Sequence, residues 1–322
     1  MQTLIDLDRA RVFAIPLHDD AGVREGMLIE GPQGWGEFSP SASATPAELT
    51  RWLTAATEPG TVGWPDAVRG RVPVAATVPA VDAERARRIV TVGGCRTAEV
   101  AVVGDGPSRD GDLARVAAVR AALGPAGALR CHVAATWDVA TAAAVITELA
   151  EAAGGLEFVV QPCASLAELV ELRRRVDVPI GIDVAKYYGP GRLADSLVDA
   201  ADVAVLDCGP LGGVRRALRV AESVGLPCAV TSTAASTIGL GSAVALAAAL
   251  PDSVYACGLG ERMLLAGDLV GGSRSLTAVD GYLPAAPMPP GPAPDLLDRY
   301  AVTDPQRLRW WRDRLQTAQL LG

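Results

Sequence analysis

The stretch ADVAVLDCGPLGG, residues 201–213, decides how this chain is read. Its first half is an apolar run too short for a helix and its second half a glycine-rich turn, so a buried strand ends there with Asp207 at the junction. The segment GVRRALRVAESVG (213–225) follows at once, with apolar residues at three- and four-residue spacing and a closing glycine. A buried strand feeding an amphipathic helix is one β/α unit.

The same unit recurs on both sides. Helical patterns cover DAERARRIVTVGG (82–94), GDLARVAAVRAALG (111–124), TAAAVITELAEAAGG (141–155), SLAELVELRRRV (165–176), GRLADSLVDA (191–200) and TIGLGSAVALAAAL (237–250). Short apolar runs alternate with them: VAATVPA (74–80), TAEVAVV (97–103), ALRCHVA (128–134), LEFVVQ (156–161), VPIGID (178–183), DVAVLD (202–207), PCAVTS (227–232) and VYACGLG (254–260). Eight parallel strands with intervening helices close into a barrel, whose working residues gather at the C-terminal ends of the strands.

Residues 1–70 follow another pattern. RVFAIPL, GMLIEGPQGWGEFSP and TPAELTRWLTAAT predict an antiparallel meander with one helix, an α+β cap. The tail from about residue 275 is rich in Pro and Ala and is expected to wrap back over that cap as irregular chain. The predicted division is a capping domain of residues 1–74 with 275–322, and a barrel of residues 75–274.

Composition narrows the function. Lys and Arg number 29 against 37 Asp and Glu, a formal charge of −8, and the basic residues are scattered, which speaks against nucleic acid and anionic membranes as partners. A small-molecule substrate is expected, in the cytoplasm, since no apolar run reaches membrane-spanning length and the start lacks a signal-peptide pattern. Six cysteines lie without a C-x-x-C pair, the pattern of buried free thiols rather than of zinc or disulfides.

Several segments carry a resemblance: GWGEFSP, VPVAATVPAVDAERA, FVVQPC, ADVAVL with PLGGVRRAL, and YACGLG with LLAGDLV. Over essentially its whole length the chain resembles the o-succinylbenzoate synthases of the enolase superfamily. The resemblance implies an α/β fold, a modified (β/α)7β TIM-type barrel with an enolase-type α+β capping domain. It also implies a reaction in which a lysine base forms an enediolate held by Mg²⁺.

At the positions that would carry this chemistry the residues differ. The family's Lys-x-Lys of strand two falls on Glu99 and Ala101, its three carboxylate metal ligands on His132, Val160 and Asp183, and its lysine of strand six on Asp207. The acidic position of strand seven falls on Ala235 and the Asn of strand one on Ala75. Mg²⁺ prefers an octahedron of hard oxygens, which Val160 cannot join and His132 does not suit, so no magnesium site and no cofactor are expected.

Strand alternation turns Glu99, His132, Asp183 and Asp207 into the barrel mouth, and Cys131 and Cys208 outward. Three acids and one imidazole are thereby expected to converge, with His132 beside Asp183 a general acid or base. One His with two carboxylates is also the donor set of a transition-metal facial triad. Lys186, Tyr187 and Tyr188 are read as lid residues contacting ligand, or as loop surface packing. Ser232, Thr233 and Glu261 are read as ligand contacts.

Two function classes follow. One is a metal-independent enzyme derived from a synthase of this family, acting by elimination, isomerisation or cyclisation on a small apolar metabolite, with natural-product biosynthesis as a setting by analogy. The other is a catalytically inactive homologue that binds a ligand or regulates a partner. Retained synthase activity stands behind both.

Overall fold

The computed structural model describes residues 5–18, 22–104, 108–189, 197–252, 254–286, 288 and 291–321. The cap is an antiparallel meander, β1 (Arg11–Pro16), β2 (Val23–Gly31) and β3 (Gly34–Phe38), followed by α1 (Pro46–Thr61). Thr45 starts α1 through a capping box with Glu48, which satisfies donors the first turn leaves open. Gly36 lets β3 lie on this helix, since a Cβ there would stand 1.9 Å from the Ala56 carbonyl oxygen.

After β4 (Arg71–Pro73) the barrel begins with β5 (Ala75–Val78), α2 (Ala83–Thr91), β6 (Thr97–Ala101), α3 (Ser108–Leu123), β7 (Ala128–His132) and α4 (Val139–Ala153). It continues with β8 (Val159–Val160), α5 (Leu166–Arg173), β9 (Ile180–Asp183), the short helices α6 (Val184–Tyr187) and α7 (Leu197–Ala200), and β10 (Val203–Leu206). The turn helix α8 (Cys208–Leu211), α9 (Val214–Val224), β11 (Cys228–Val230) and α10 (Thr237–Ala249) complete the series. β5 to β11 pair in parallel in chain order.

The eighth strand expected over 254–260 shrinks to Cys257 and Gly258. Cys257 bridges to Val74 and Gly258 to Thr231, so these two residues close the ring between β5 and β11. The extension stops because the Leu259 N–H turns back to the Cys257 carbonyl.

Side chains alternate as the strands require. Val100, Cys131, Ile182 and Leu206 face the helices, with Cys131 and Cys208 in that outer layer as expected. Phe158, Val160, Val203, Val205 and Ala229 form a separate inner cluster.

The tail is not irregular throughout. β12 (Tyr282–Pro284) pairs antiparallel with β4, and α11 (Pro294–Arg299) and α12 (Pro305–Leu320) follow. Asp304 caps α12 and Pro305 opens it, while Trp311, Leu315 and Ala318 recur on one face and bury against Met27, Phe38 and Leu49 of the cap. The proline run hides a helix with an ordinary apolar stripe.

Two cap carboxylates seat the cap on the barrel. Glu58, in the last turn of α1, accepts hydrogen bonds from the Val214 and Arg215 N–H groups at the start of α9, the latter at 3.0 Å. The N-cap of α9 is Gly213, which has no side chain to do this, and a Cβ there would stand 2.4 Å from Glu58 Oε2. Glu37, ahead of the end of β3, accepts from the Ser236 N–H (3.1 Å) and hydroxyl at the start of α10, and from the Ser39 hydroxyl (2.7 Å).

Glu58→Ala leaves the first N–H groups of α9 buried without an acceptor. It is expected to lower unfolding free energy by about 1–3 kcal/mol, read from the midpoint of chemical denaturation; an unchanged midpoint contradicts the seating role.

Candidate active site

The C-terminal ends of β7 to β11 and the turn after Gly258 face the cap. Asp207 follows β10 and caps α8, its Oδ1 accepting from the Gly209 N–H (3.0 Å) and its Oδ2 from the Thr233 hydroxyl (3.2 Å). Trp52 of α1 lies over this turn because residue 209 is glycine, where a Cβ would meet the indole at 2.4 Å. Burial, reinforced by the Asp183 charge, pushes the Asp207 carboxyl up to about 6.

Glu261 lies in the turn Gly260–Leu264 that follows the closing pair. Burial pushes it up to about 8, with the negative charges of Glu99 and Asp207 adding to the rise and Arg24 opposing it. Asp183 ends β9 and accepts from the Ala185 N–H (3.1 Å). Its carboxyl is raised by burial against the opposing charges of Lys186 and His132. Asp183, Asp207 and Glu261, with His132 and Lys186 beside Asp183, thus share one electrostatic neighbourhood.

Glu99 is placed differently from expectation. It faces the interior, but its register partner is Arg130, while Ala101 above it is paired with His132. Arg130 Nε donates to Glu99 Oε2 (2.7 Å), Nη1 donates to the Ala256 carbonyl (2.8 Å), and the guanidinium lies 5.0 Å over the Phe158 ring. Arg130 is 1% exposed, so the pair is a buried structural tie one layer below the mouth. The acid that joins Asp183 and Asp207 is Glu261.

The loop after β9 divides its three residues. The Tyr187 hydroxyl accepts from Gln161 Nε2 (2.8 Å) and donates to the Ala164 carbonyl (2.9 Å), a brace between loops rather than a free ligand contact. Tyr188 faces Arg51 of the cap, 5.8 Å from its ring centre, in a groove outside the barrel. Lys186 is exposed, and its charge acts on Asp183. Ser232 and Thr233 line a cavity of about 30 Å³ with Asp207, Glu37 and Trp52, room for a water molecule.

Three residues of this site have no counterpart in the sequence reading. Arg24 of β2 donates to the Ser39 carbonyl (2.7 Å) and hydroxyl (3.1 Å), its buried Nε has no hydrogen-bond partner, and its charge acts on Asp207, Glu261 and Glu37. Glu37 is itself raised by burial. Arg130 was within reach of the alternation that turned His132 inward, since the two lie two apart on β7.

A magnesium site of the family type does not fit these residues. The positions onto which the resemblance puts its ligands, at the ends of β7, β8 and β9, are His132, Val160 and Asp183, and Val160 is 2% exposed within the apolar inner cluster. Among the described residues no three of His, Cys, Asp and Glu are grouped to hold a metal ion, and no helix is long and apolar enough to cross a membrane.

Residues 81–292 match the family described as Enolase C-terminal domain-like, and residues 12–59 that described as Enolase N-terminal domain-like. Over 279 residues the chain is 50% identical to the o-succinylbenzoate synthase of Thermobifida fusca, covering 85% of this chain and 86% of that one. This chain belongs to the o-succinylbenzoate synthase branch of the enolase superfamily. The o-succinylbenzoate synthase of Mycobacterium leprae is 39% identical over 319 residues, 98% of this chain and 92% of its own. The solved muconate lactonizing enzyme of Pseudomonas putida shares the fold, with a TM-score of 0.73 at 18% identity over 91% of this chain and 98% of that one.

In this enolase-superfamily chain the raised carboxyls have a consequence for stability. A carboxyl whose pKa is higher folded than unfolded costs stability above both values and nothing below both. Asp207→Asn is therefore expected to raise stability by about 1–2 kcal/mol near pH 8, an advantage that fades as pH falls through about 6 and is gone below about 4. Thermal unfolding across pH checks this; a pH-independent difference contradicts it.

Proposed function

We propose that this chain catalyses a metal-independent proton transfer, an elimination, isomerisation or cyclisation, on a small and largely apolar metabolite. What carries the reading is the presence of Asp207 and Glu261 in one site, two carboxyls raised to about 6 and about 8 by burial, with the Asp183 charge adding to the first and the Glu99 and Asp207 charges to the second. Near neutral pH one is ionised and the other protonated, the condition for a base and an acid working in one site.

Asp207 in this reading takes a proton from the substrate and Glu261 gives one; the cavity of about 30 Å³ beside Asp207 holds no more than a water molecule, so the substrate enters with the cap displaced. Thr233 and the Gly209 N–H hold the Asp207 carboxylate in place, which fixes the direction of its free lone pairs. His132 and Asp183 orient the substrate or relay a proton at the rim. A carboxylate at 207 disfavours an anion developing beside it, so the site suits a neutral substrate passing through a cationic or weakly polarised transition state rather than an enediolate. The inner apolar cluster below the mouth gives such a substrate its floor.

The name of the relatives favours a second reading, o-succinylbenzoate synthesis by this chain. The two separate in one set of assays. Proton transfer of the proposed kind predicts no o-succinylbenzoate formed with added Mg²⁺, and turnover of the true substrate, found by screening apolar metabolites for deuterium uptake in heavy water, that survives EDTA. Its kcat/KM is expected to rise through about pH 6 as Asp207 ionises and fall through about pH 8 as Glu261 loses its proton. Asp207→Asn removes the lower limb with most of the activity; Mg²⁺-dependent formation of o-succinylbenzoate overturns the proposal.

A further inference from the structure

Outside the barrel, a groove of about 1130 Å³ runs between the first turns of α1, the residues after α6 and one face of α9. It is independent of the acidic mouth and opposite to it in charge. Three arginines line it: Arg51 from the cap, and Arg216 and Arg219, three apart on α9. Arg51 is anchored by its Nε, which donates to the Pro210 carbonyl (2.5 Å), and its cationic form is disfavoured by burial and by the like charge of Arg216.

Little on the protein offsets this concentration. The acid acting on Arg51 is Glu48, whose Oε2 is committed to the N–H and hydroxyl of Thr45 in the capping box of α1. Neither Arg216 nor Arg219 makes an ion pair among the described residues. Like charges gathered in a concavity repel one another, and an anion placed between them offsets that cost. The rest of the wall includes Tyr188, Val220 and Ala47, an apolar side for the rest of a ligand, along with the hydroxyl-bearing Thr45, Thr50 and Ser223.

From this geometry we infer that the groove binds a diphosphate-bearing organic metabolite, its charged oxygens bridging Arg51, Arg216 and Arg219 and its apolar part against Tyr188 and Val220. Guanidinium forks match phosphate oxygens in pairs, and the groove is far larger than a single phosphate needs.

Isothermal titration of the full chain with pyrophosphate, the charged part alone, tests this. Saturable binding that weakens with salt is expected, falling about tenfold or more in Arg216→Gln/Arg219→Gln while the melting temperature holds. Arg219→Gln alone, at an exposed position where folding is not at risk, is expected to give part of that loss. Absence of pyrophosphate binding by the unaltered chain, binding that survives both substitutions, or equal binding of succinate overturns the inference.

Discussion

The structure depends on how a separate meander is held over the open end of a barrel, and this is done by two carboxylates at helix starts. Glu58 supplies acceptors that the glycine N-cap of α9 lacks, and Glu37 does the same for α10 beside its own cap, Ser236. A negative charge at a helix N-terminus meets unpaired N–H groups and the positive end of the helix dipole together. Because α9 and α10 follow β10 and β11, the cap is fixed over the strand ends that carry Asp207, Ser232 and Thr233. Trp52 then closes on Gly209, and the space left beside Asp207 is nearly filled.

That closure sets the chemistry of the mouth. A carboxyl in water ionises readily, but under the cap Asp207 and Glu261 lose hydration, the first beside the Asp183 charge and the second beside those of Glu99 and Asp207, and their proton affinities climb by different amounts. Arg130, by contrast, ties Glu99 down one layer below, through an ion pair backed by a ring and a carbonyl, so that Glu99 acts on the mouth only through its charge on Glu261. Two acids that look equivalent along the strands thus do unlike work, one tying β6 to β7 and the other facing the cap.

The barrel was legible because its signal is local and repeated: alternation within strands, three- and four-residue spacing within helices, glycine at their ends. The cap meander and α1 were legible for the same reason. What failed has physical causes. The expected eighth strand dwindled because one backbone turn at Leu259 ends its extension, and the tail's last helix was masked by the prolines before it, although Trp311, Leu315 and Ala318 carry the spacing of a buried face. The site was half visible. Alternation brought His132, Asp183 and Asp207 to one end, yet it equally turned Arg130 inward to meet Glu99. Glu37 and Glu58 accept hydrogen bonds from residues 199 and 157 positions away, Arg24 acts from the cap on Asp207 and Glu261, and no periodicity records such contacts.

Arg24 sits on β2, in the element that the two carboxylates hold down, and its charge lowers the proton affinity of Asp207 that burial raises. Lifting the meander withdraws this guanidinium and readmits solvent at once. Rehydration is the larger of the two influences, so the acid sheds its proton as the lid rises and recaptures one as it settles. Any displacement of the cap would thus carry a proton off Asp207, so acidity would strengthen its seating and alkalinity weaken it.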